Sequence, residues 1–201
     1  MTEYDRLLSN MTPTSLRLRI VGTSGSGKTT FARRYATATG AAHLELDAVF
    51  WDAEWQRRDL DEALRIVREF AADNAGGWVA DGNWSTPLQG LLDPGTPGGA
   101  DVVVWIDLPR PVVMRRVVAR TLRRGIRREE LWHGNREQVL NWLRWDPERN
   151  IIRWAWTSYR RTRERMLARI AAGEPIVQLR SQREIDAWLA SVSHGGRTVE
   201  R

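Results

Sequence analysis

Residues Gly22-Thr23-Ser24-Gly25-Ser26-Gly27-Lys28-Thr29 satisfy the pattern G-x-x-x-x-G-K-[ST] at every required position. The pattern constrains the fold because it works in one setting, a glycine-rich turn between a strand and a helix. That setting is present: Leu16 to Val21 is an apolar run that reads as a strand, and Thr29 to Thr39 has helical composition closed by Gly40. Glycines at positions 22, 25 and 27 let the backbone turn so that its N–H groups face one concavity. The following helix presents its positive dipole end to the same place. A polyphosphate is the ligand such a loop suits, with Lys28 reaching the β and γ phosphates and the Thr29 hydroxyl turned to Mg²⁺. Ser24, Ser26 and Thr30 complete the expected nucleotide-binding set. Lys28 is the single lysine among 31 basic residues, which suggests a position that needs a compact point charge on a flexible stem.

Downstream the chain alternates between strand-like and helical segments. His43 to Leu46 is a short strand ending at Asp47. Asp59 to Asp73 places Leu60, Ala63, Leu64, Val67 and Phe70 at helical spacing, and Trp78 to Ala80 is a strand ending at Asp81. After a Pro/Gly loop at 93–100, Val102 to Ile106 is uniformly apolar, as in a parallel strand covered on both faces, and stops at Asp107. Pro109 and Pro111 open a helix expected over Val112 to Arg124. Further helices are expected at Ile151 to Ala171 and Arg183 to Val192, flanking a strand at Ile176 to Leu179, with a frayed tail from His194. Five strands separated by helices predict an α/β fold, a doubly wound parallel sheet in one domain spanning 1–201. The tract at about 125–149 differs in character and reads as a lid-like insertion.

Three strands end in aspartate, and ligands in open α/β sheets sit at the carboxyl ends of strands. Asp47, Asp81 and Asp107 are therefore candidates to border the loop, although each can equally be a polar strand end or a helix cap. Asp81 is the better metal-side candidate and Asp47 the better acceptor-side candidate.

Residues 110–170 hold 17 Arg against 6 Asp or Glu, a basic block that suits nucleotide phosphates and nucleic-acid backbones equally. Arg160, Arg161, Arg163, Arg165 and Arg169 are expected to form one solvated helix face. No cysteine is present, so disulfides and thiolate metal sites are excluded. No apolar stretch is long enough to cross a bilayer, and a cytoplasmic location is expected. His43, His133 and His194 show no ligand-like spacing, and no nucleophile motif stands beside them. Eleven Trp are present. Trp51, Trp55 and Trp84 are expected near the acceptor, as a stacking wall or as ordinary core. Trp142, Trp145, Trp154 and Trp156 are expected to anchor helix packing beside arginine stems, with base stacking on single-stranded nucleic acid as the alternative.

The phosphate loop, Leu46-Asp47-Ala48-Val49-Phe50-Trp51, Trp78-Val79-Ala80-Asp81-Gly82-Asn83-Trp84 and Val104-Trp105-Ile106-Asp107-Leu108-Pro109-Arg110 together resemble the adenylate-kinase-like P-loop proteins labelled DNA topology modulation (FlaR-like) proteins. Trp132-His133-Gly134-Asn135-Arg136-Glu137 resembles one branch of that group. The resemblance implies a P-loop NTPase of nucleoside-phosphate-kinase type, a three-layer α/β/α fold with strand order 2-3-1-4-5 and an Arg/Trp-rich lid. It also implies that Asp81 is the metal-orienting acid. By the same resemblance Arg116 lies near the donor base and Arg120 on phosphates. Arg124, with Arg123, Arg127, Arg128 and Arg136, belongs to the lid, and Arg180 sits at the adenine loop.

One departure stands out. The adenylate kinases follow their third strand with Asp-Gly-x-Pro-Arg, whereas here Asp81-Gly82 is followed by Asn83-Trp84-Ser85. The arginine that grips an acceptor phosphate is missing, and Arg57 or Arg58 is the available substitute. The expected function is Mg²⁺- and ATP-dependent phosphoryl transfer to a nucleotide- or nucleoside-like small molecule. Lys28, Asp47, Arg120 and Arg124 are the catalytic candidates, and Asp47, Trp51, Arg57, Asn83 and Trp84 are the acceptor-side candidates. The alternative is an ATP-responsive nucleic-acid-binding regulatory protein with weak ATPase activity.

Overall fold

A computed structural model of the chain describes residues 15–127, 129–136 and 150–195. The order is β1 (Arg17–Gly22), α1 (Lys28–Thr39), β2 (Ala42–Glu45), α2 (Leu46–Phe50), a 3₁₀ turn (Ala53–Trp55), α3 (Leu60–Asp73), β3 (Trp78–Asp81) and α4 (Ser85–Leu88). Then come β4 (Val102–Ile106), α5 (Arg110–Arg127), a 3₁₀ turn (Trp132–Gly134), α6 (Ile151–Ala171), β5 (Ile176–Leu179) and α7 (Gln182–Gly195). The five strands are parallel and lie in the order β2-β3-β1-β4-β5. Helices cover both faces, the three-layer α/β/α arrangement expected.

The core explains the strand composition. Leu18, Ile20, Val104 and Ile106 pack with Phe31 and Tyr35 of α1, Val113 and Val117 of α5, and Trp188 and Leu189 of α7. On the opposite face Val21, Val103 and Trp105 meet Met166 of α6, while Trp78 and Ala80 meet Leu64 and Val67 of α3. Every residue of β4 is buried, because that strand is covered twice. Pairing of Ile20 with Asp81 and of Gly22 with Ile106 brings the carboxyl ends of β3, β1 and β4 level beside the glycine loop.

Several boundaries differ from expectation. Leu46 is not the last residue of β2 but the first of α2, and Asp47 stands in the first turn of that helix, where a carboxylate meets the positive dipole end. Helix α5 runs through Gly125 to Arg127, past the end expected at Arg124. Trp142 and Trp145 lie outside the described residues, as do Arg128, most of the 125–149 tract and the tail beyond 195.

The arginines of α6 do not form one solvated face. Arg163 pairs with Asp107 at 2.9 Å, and Arg169 with Asp93 at 3.0 Å and Glu174 at 2.5 Å. Asp93 also pairs with Arg19, a β1 residue with no solvent exposure. A buried charge in the sheet needs a partner: Asp93, from the loop before β4, supplies it to Arg19, and Arg169 of α6 shares that carboxylate. Trp154 and Trp156 are exposed rather than packed, and Arg110 covers the Trp156 ring at 3.4 Å.

Candidate active site

The loop of residues 22–29 joins β1 to α1, as the motif requires. Two of its glycines are enforced by close approach and by left-handed backbone. A Cβ on Gly22 would lie 2.6 Å from the Ile106 carbonyl oxygen. On Gly25, at φ 85°, it would lie 2.3 Å from Val117 Cγ2. Side chains at these positions would push β4 or α5 off the loop. Asn83 clamps the start of the loop: its Nδ2 donates to the Gly22 carbonyl at 2.7 Å and its Oδ1 accepts from the Gly22 N–H at 3.3 Å. The register puts β3 beside β1, so Asn83, expected on the acceptor side and just past Gly82, meets the first residue of the loop.

Lys28 donates to the carbonyls of Gly22 at 2.8 Å and Thr23 at 3.3 Å. Burial pulls its pKa down from the ordinary lysine value, while Asp47 and Asp81 push it back up. The Thr29 hydroxyl donates to Asp81 Oδ2 at 2.6 Å, and His43 Nε2 lies 2.8 Å from the other oxygen of that carboxylate. Sequence reasoning missed His43, because its role depends on β2 lying beside β3 and no local spacing signals it. Thr29 and Asp81 form a pair of hard oxygen donors of the kind that holds Mg²⁺ alongside phosphate and water. Among the described residues no group of three or more His, Asp or Glu side chains forms a closed metal cage.

Helix α5 crosses the loop. Arg116 donates to the Ser26 carbonyl at 3.3 Å and to Gln182 at 3.0 Å, and Arg120 donates to the Ser24 hydroxyl at 3.1 Å. Both arginines, placed there by resemblance, meet the loop. Arg124 is one turn further and lies 3.7 Å from Glu129. Arg180 bonds Gln178 at 2.8 Å, and its N–H donates to Glu184. Thr30 follows Thr29 in the first turn of α1. Asp107 does not join the site; it faces Arg163 and Gln178, because it ends β4 on the side of α6 and β5.

Asp47 stands across from Lys28. Its Oδ1 accepts from the Trp84 indole N–H at 2.6 Å. Burial pushes its pKa above the ordinary carboxylate value, against the opposing pull of Lys28 and that hydrogen bond. Trp84 stacks on Phe50, with centroids 4.5 Å apart and planes 11° apart, and Trp51 meets Trp84 edge-on at 5.6 Å and Trp55 at 5.9 Å. The exposed Arg57 guanidinium lies 5.6 Å from the Trp51 ring centroid and 5.8 Å from that of Trp84. Phe50, Arg57, Arg58 and Trp84 contribute to a cavity of about 370 Å³. A cavity of about 420 Å³ between α1 and α7 lies near Arg34 and Asp186, away from the loop, and holds none of these groups. The sequence did not reveal that Trp132, His133 and Asn135 also reach residues 48–55.

No helix among the described residues is long and apolar enough to cross a membrane. No family model matches the chain. It is 26% identical to the shikimate kinases of Synechococcus elongatus and of a second Synechococcus strain, over 51% of this chain and 57% of each relative. The match thus spans little more than half the length of those relatives. The solved structure of shikimate kinase from Acinetobacter baumannii in complex with shikimate superposes with a TM-score of 0.53 at 16% identity, covering 92% of this chain and 94% of that one. With its sheet order and phosphate loop, the chain has the P-loop kinase fold found in shikimate kinase.

Proposed function

We propose that the protein is a P-loop small-molecule kinase that transfers the γ-phosphoryl group of ATP to an acceptor hydroxyl. The observation that carries this reading is the convergence of Lys28, Asp47 and the Thr29–Asp81 pair on one end of the glycine loop. The shikimate kinase relatives support phosphoryl transfer to a small molecule. The motifs around Asp47, Asp81 and Asp107 add the finer reading of a branch similar to the FlaR-like proteins.

In this reading the backbone of 22–29 and the guanidiniums of Arg120 and Arg124 hold the donor phosphates, and Arg116, beside Gln182, and Arg180 lie at the base end. Thr29 and Asp81 are the residues that fit Mg²⁺, which when bound neutralises charge on the phosphates. His43 keeps the Asp81 carboxylate oriented. Lys28 leaves its carbonyl partners for the β and γ phosphates and offsets negative charge as it develops on the departing diphosphate. The acceptor oxygen forms a bond to the γ phosphorus, the bond from that phosphorus to the β–γ bridging oxygen breaks, and ADP leaves. The acceptor proton passes to Asp47. Burial suits Asp47 to that role, because a carboxylate raised toward the working pH is a better base.

The acceptor is a hydroxyl compound with a flat or ring-shaped body, a nucleoside or a ring alcohol, lying against Trp51 and Trp84 with Arg57 at the edge. A phosphate acceptor needs no base and would leave Asp47 without a task. Nucleosides, nucleoside monophosphates and small ring alcohols including shikimate, each incubated with Mg·ATP, test this through acceptor-dependent ADP release. Release with a hydroxyl compound, lost in Asp47→Asn, is expected; release with monophosphates alone, unaffected by Asp47→Asn, contradicts the reading.

The rival nucleic-acid reading draws on Trp154 and Trp156, which are 42% and 53% exposed. Pairing of Arg160 with Glu164, of Arg163 with Asp107 and of Arg169 with Asp93 and Glu174 offsets part of the positive charge of α6, which favours the kinase. ATP-dependent binding of an oligonucleotide with a steep salt slope would reverse that preference.

A further inference from the structure

Two seven-residue turns of this chain share one backbone. In 51–57 and 130–136 the first and last residues form an antiparallel bridge, Trp51 with Arg57 and Glu130 with Arg136. The second N–H donates to the sixth carbonyl, at 2.8 Å from Asp52 to Gln56 and 2.7 Å from Leu131 to Asn135. The sixth N–H returns to the third carbonyl, from Gln56 to Ala53 and from Asn135 to Trp132. Dihedrals match as well: Glu54 at φ 57°, ψ 26° and His133 at φ 55°, ψ 35°, followed by Trp55 at φ 56° and Gly134 at φ 76°. The sequences WDAEWQR and ELWHGNR share only the final arginine, so the repeat is one of shape. Three non-glycine residues with positive φ are unfavourable in isolation, and something outside each turn must hold them there.

Each turn holds the other. Asn135, which is buried, accepts from the Trp55 N–H at 2.8 Å through Oδ1 and donates through Nδ2 to the Asp52 carbonyl at 2.7 Å and the Trp132 carbonyl at 2.9 Å. Trp55 Nε1 donates to the Arg136 carbonyl at 3.2 Å, and Trp132 Nε1 donates to Glu45 at 2.9 Å. His133 Nε2 lies 2.9 Å from the carbonyl of Ala48, next to Asp47. Helix α5 therefore touches the glycine loop through Arg116 and Arg120, and the second turn touches the acceptor-side segment through Asn135.

We infer that the 130–136 turn is a wall of the acceptor site and that Asn135 is a positioning residue that joins the acceptor segment 46–58 to the donor loop. The inference rests on the reading of 22–29 as a nucleotide loop. It follows that filling the donor loop orders 46–58 before any acceptor arrives. Couplings of this kind amount to about 5- to 150-fold in an equilibrium constant.

Amide hydrogen exchange of the full chain with and without Mg·ADP tests it, since the acceptor is not needed. Mg·ADP is expected to slow exchange about fivefold or more in both 22–29 and 46–58. Asn135→Ala should keep the protection of 22–29 and lose that of 46–58. A residue that merely stabilised the fold would leave that nucleotide-dependent difference in place. If the alanine variant does not fold, Asn135→Asp carries the test: it keeps an acceptor for Trp55 N–H, lacks the two Nδ2 donations, and should show reduced protection of 46–58. Protection of 22–29 alone in the unaltered protein, or full protection of 46–58 in the variants, overturns the inference while leaving nucleotide binding intact. No protection anywhere overturns both.

Discussion

The indole N–H of Trp84 meets Asp47 Oδ1 at 2.6 Å while the same ring lies flat on Phe50. A single tryptophan thus packs on α2 through Phe50 and holds the carboxylate proposed as base. Trp84→Phe keeps the stacking surface and removes the donor. The lost hydrogen bond favoured the carboxylate form, so Asp47, already raised by burial, rises further. A base works deprotonated; activity therefore falls as pH drops through its pKa, and in the variant that acid limb moves to higher pH. With a hydrogen bond to a charged group contributing about 1.5–3 kcal/mol, turnover below the limb should drop roughly tenfold or more and recover on the alkaline side. A pH–rate profile with an unmoved acid limb contradicts the assignment.

Lys28→Ala should fold and lose about 10²- to 10³-fold in turnover, the scale for removing one group aimed at developing charge. Its lowered pKa gives a second readout. Triphosphate charge favours the ammonium, so the pKa rises on binding. At a pH between the free and bound values, nucleotide binding takes up a proton, and affinity weakens as pH rises through the free value. Calorimetry in two buffers of different ionisation enthalpy measures that proton. Uptake that persists in the alanine variant would assign it to another group.

Asp81→Asn removes the carboxylate charge beside Thr29 while leaving an oxygen for His43 or Thr29 to meet. The Mg²⁺ concentration giving half-maximal ADP release should rise about 10- to 100-fold, the range for disturbing a group that orients or holds a metal. His43→Ala should shift it in the same direction by less. An unchanged Mg²⁺ requirement in Asp81→Asn places the metal elsewhere.

Gly25→Ala introduces a methyl group 2.3 Å from Val117 Cγ2 at a residue with φ 85°. Overpacking and strained backbone each cost about 1–3 kcal/mol, so denaturant unfolding should show a loss in that range or above. Arg120 rides on the same helix, so contact with Ser24 should loosen too. Stability equal to that of the unaltered chain would show that α5 yields freely at this point.

The fold was legible where local pattern and chemistry coincide. Strand, glycine turn and helix around 17–39 declare themselves by composition, and the all-apolar β4 declares its double burial. The strand order came from resemblance, because nothing local to β1 says that β3 is its neighbour. Contacts that the sequence does not announce share that cause. His43 and Asn83 act across strand pairings, and Arg163 and Arg169 answer charges at Asp107 and Asp93 far away in sequence. The paired turns at 51–57 and 130–136 were invisible, since their likeness lies in dihedrals and hydrogen bonds and not in residue types.

Titration calorimetry of the folded protein with ATP in the presence of Mg²⁺ tests the central claim most directly, that 22–29 is an occupied phosphate cradle in the working protein. One saturable site per chain, abolished or strongly weakened in Lys28→Ala, is the expected result. An absence of binding heat from any nucleoside triphosphate, over several temperatures, would contradict it.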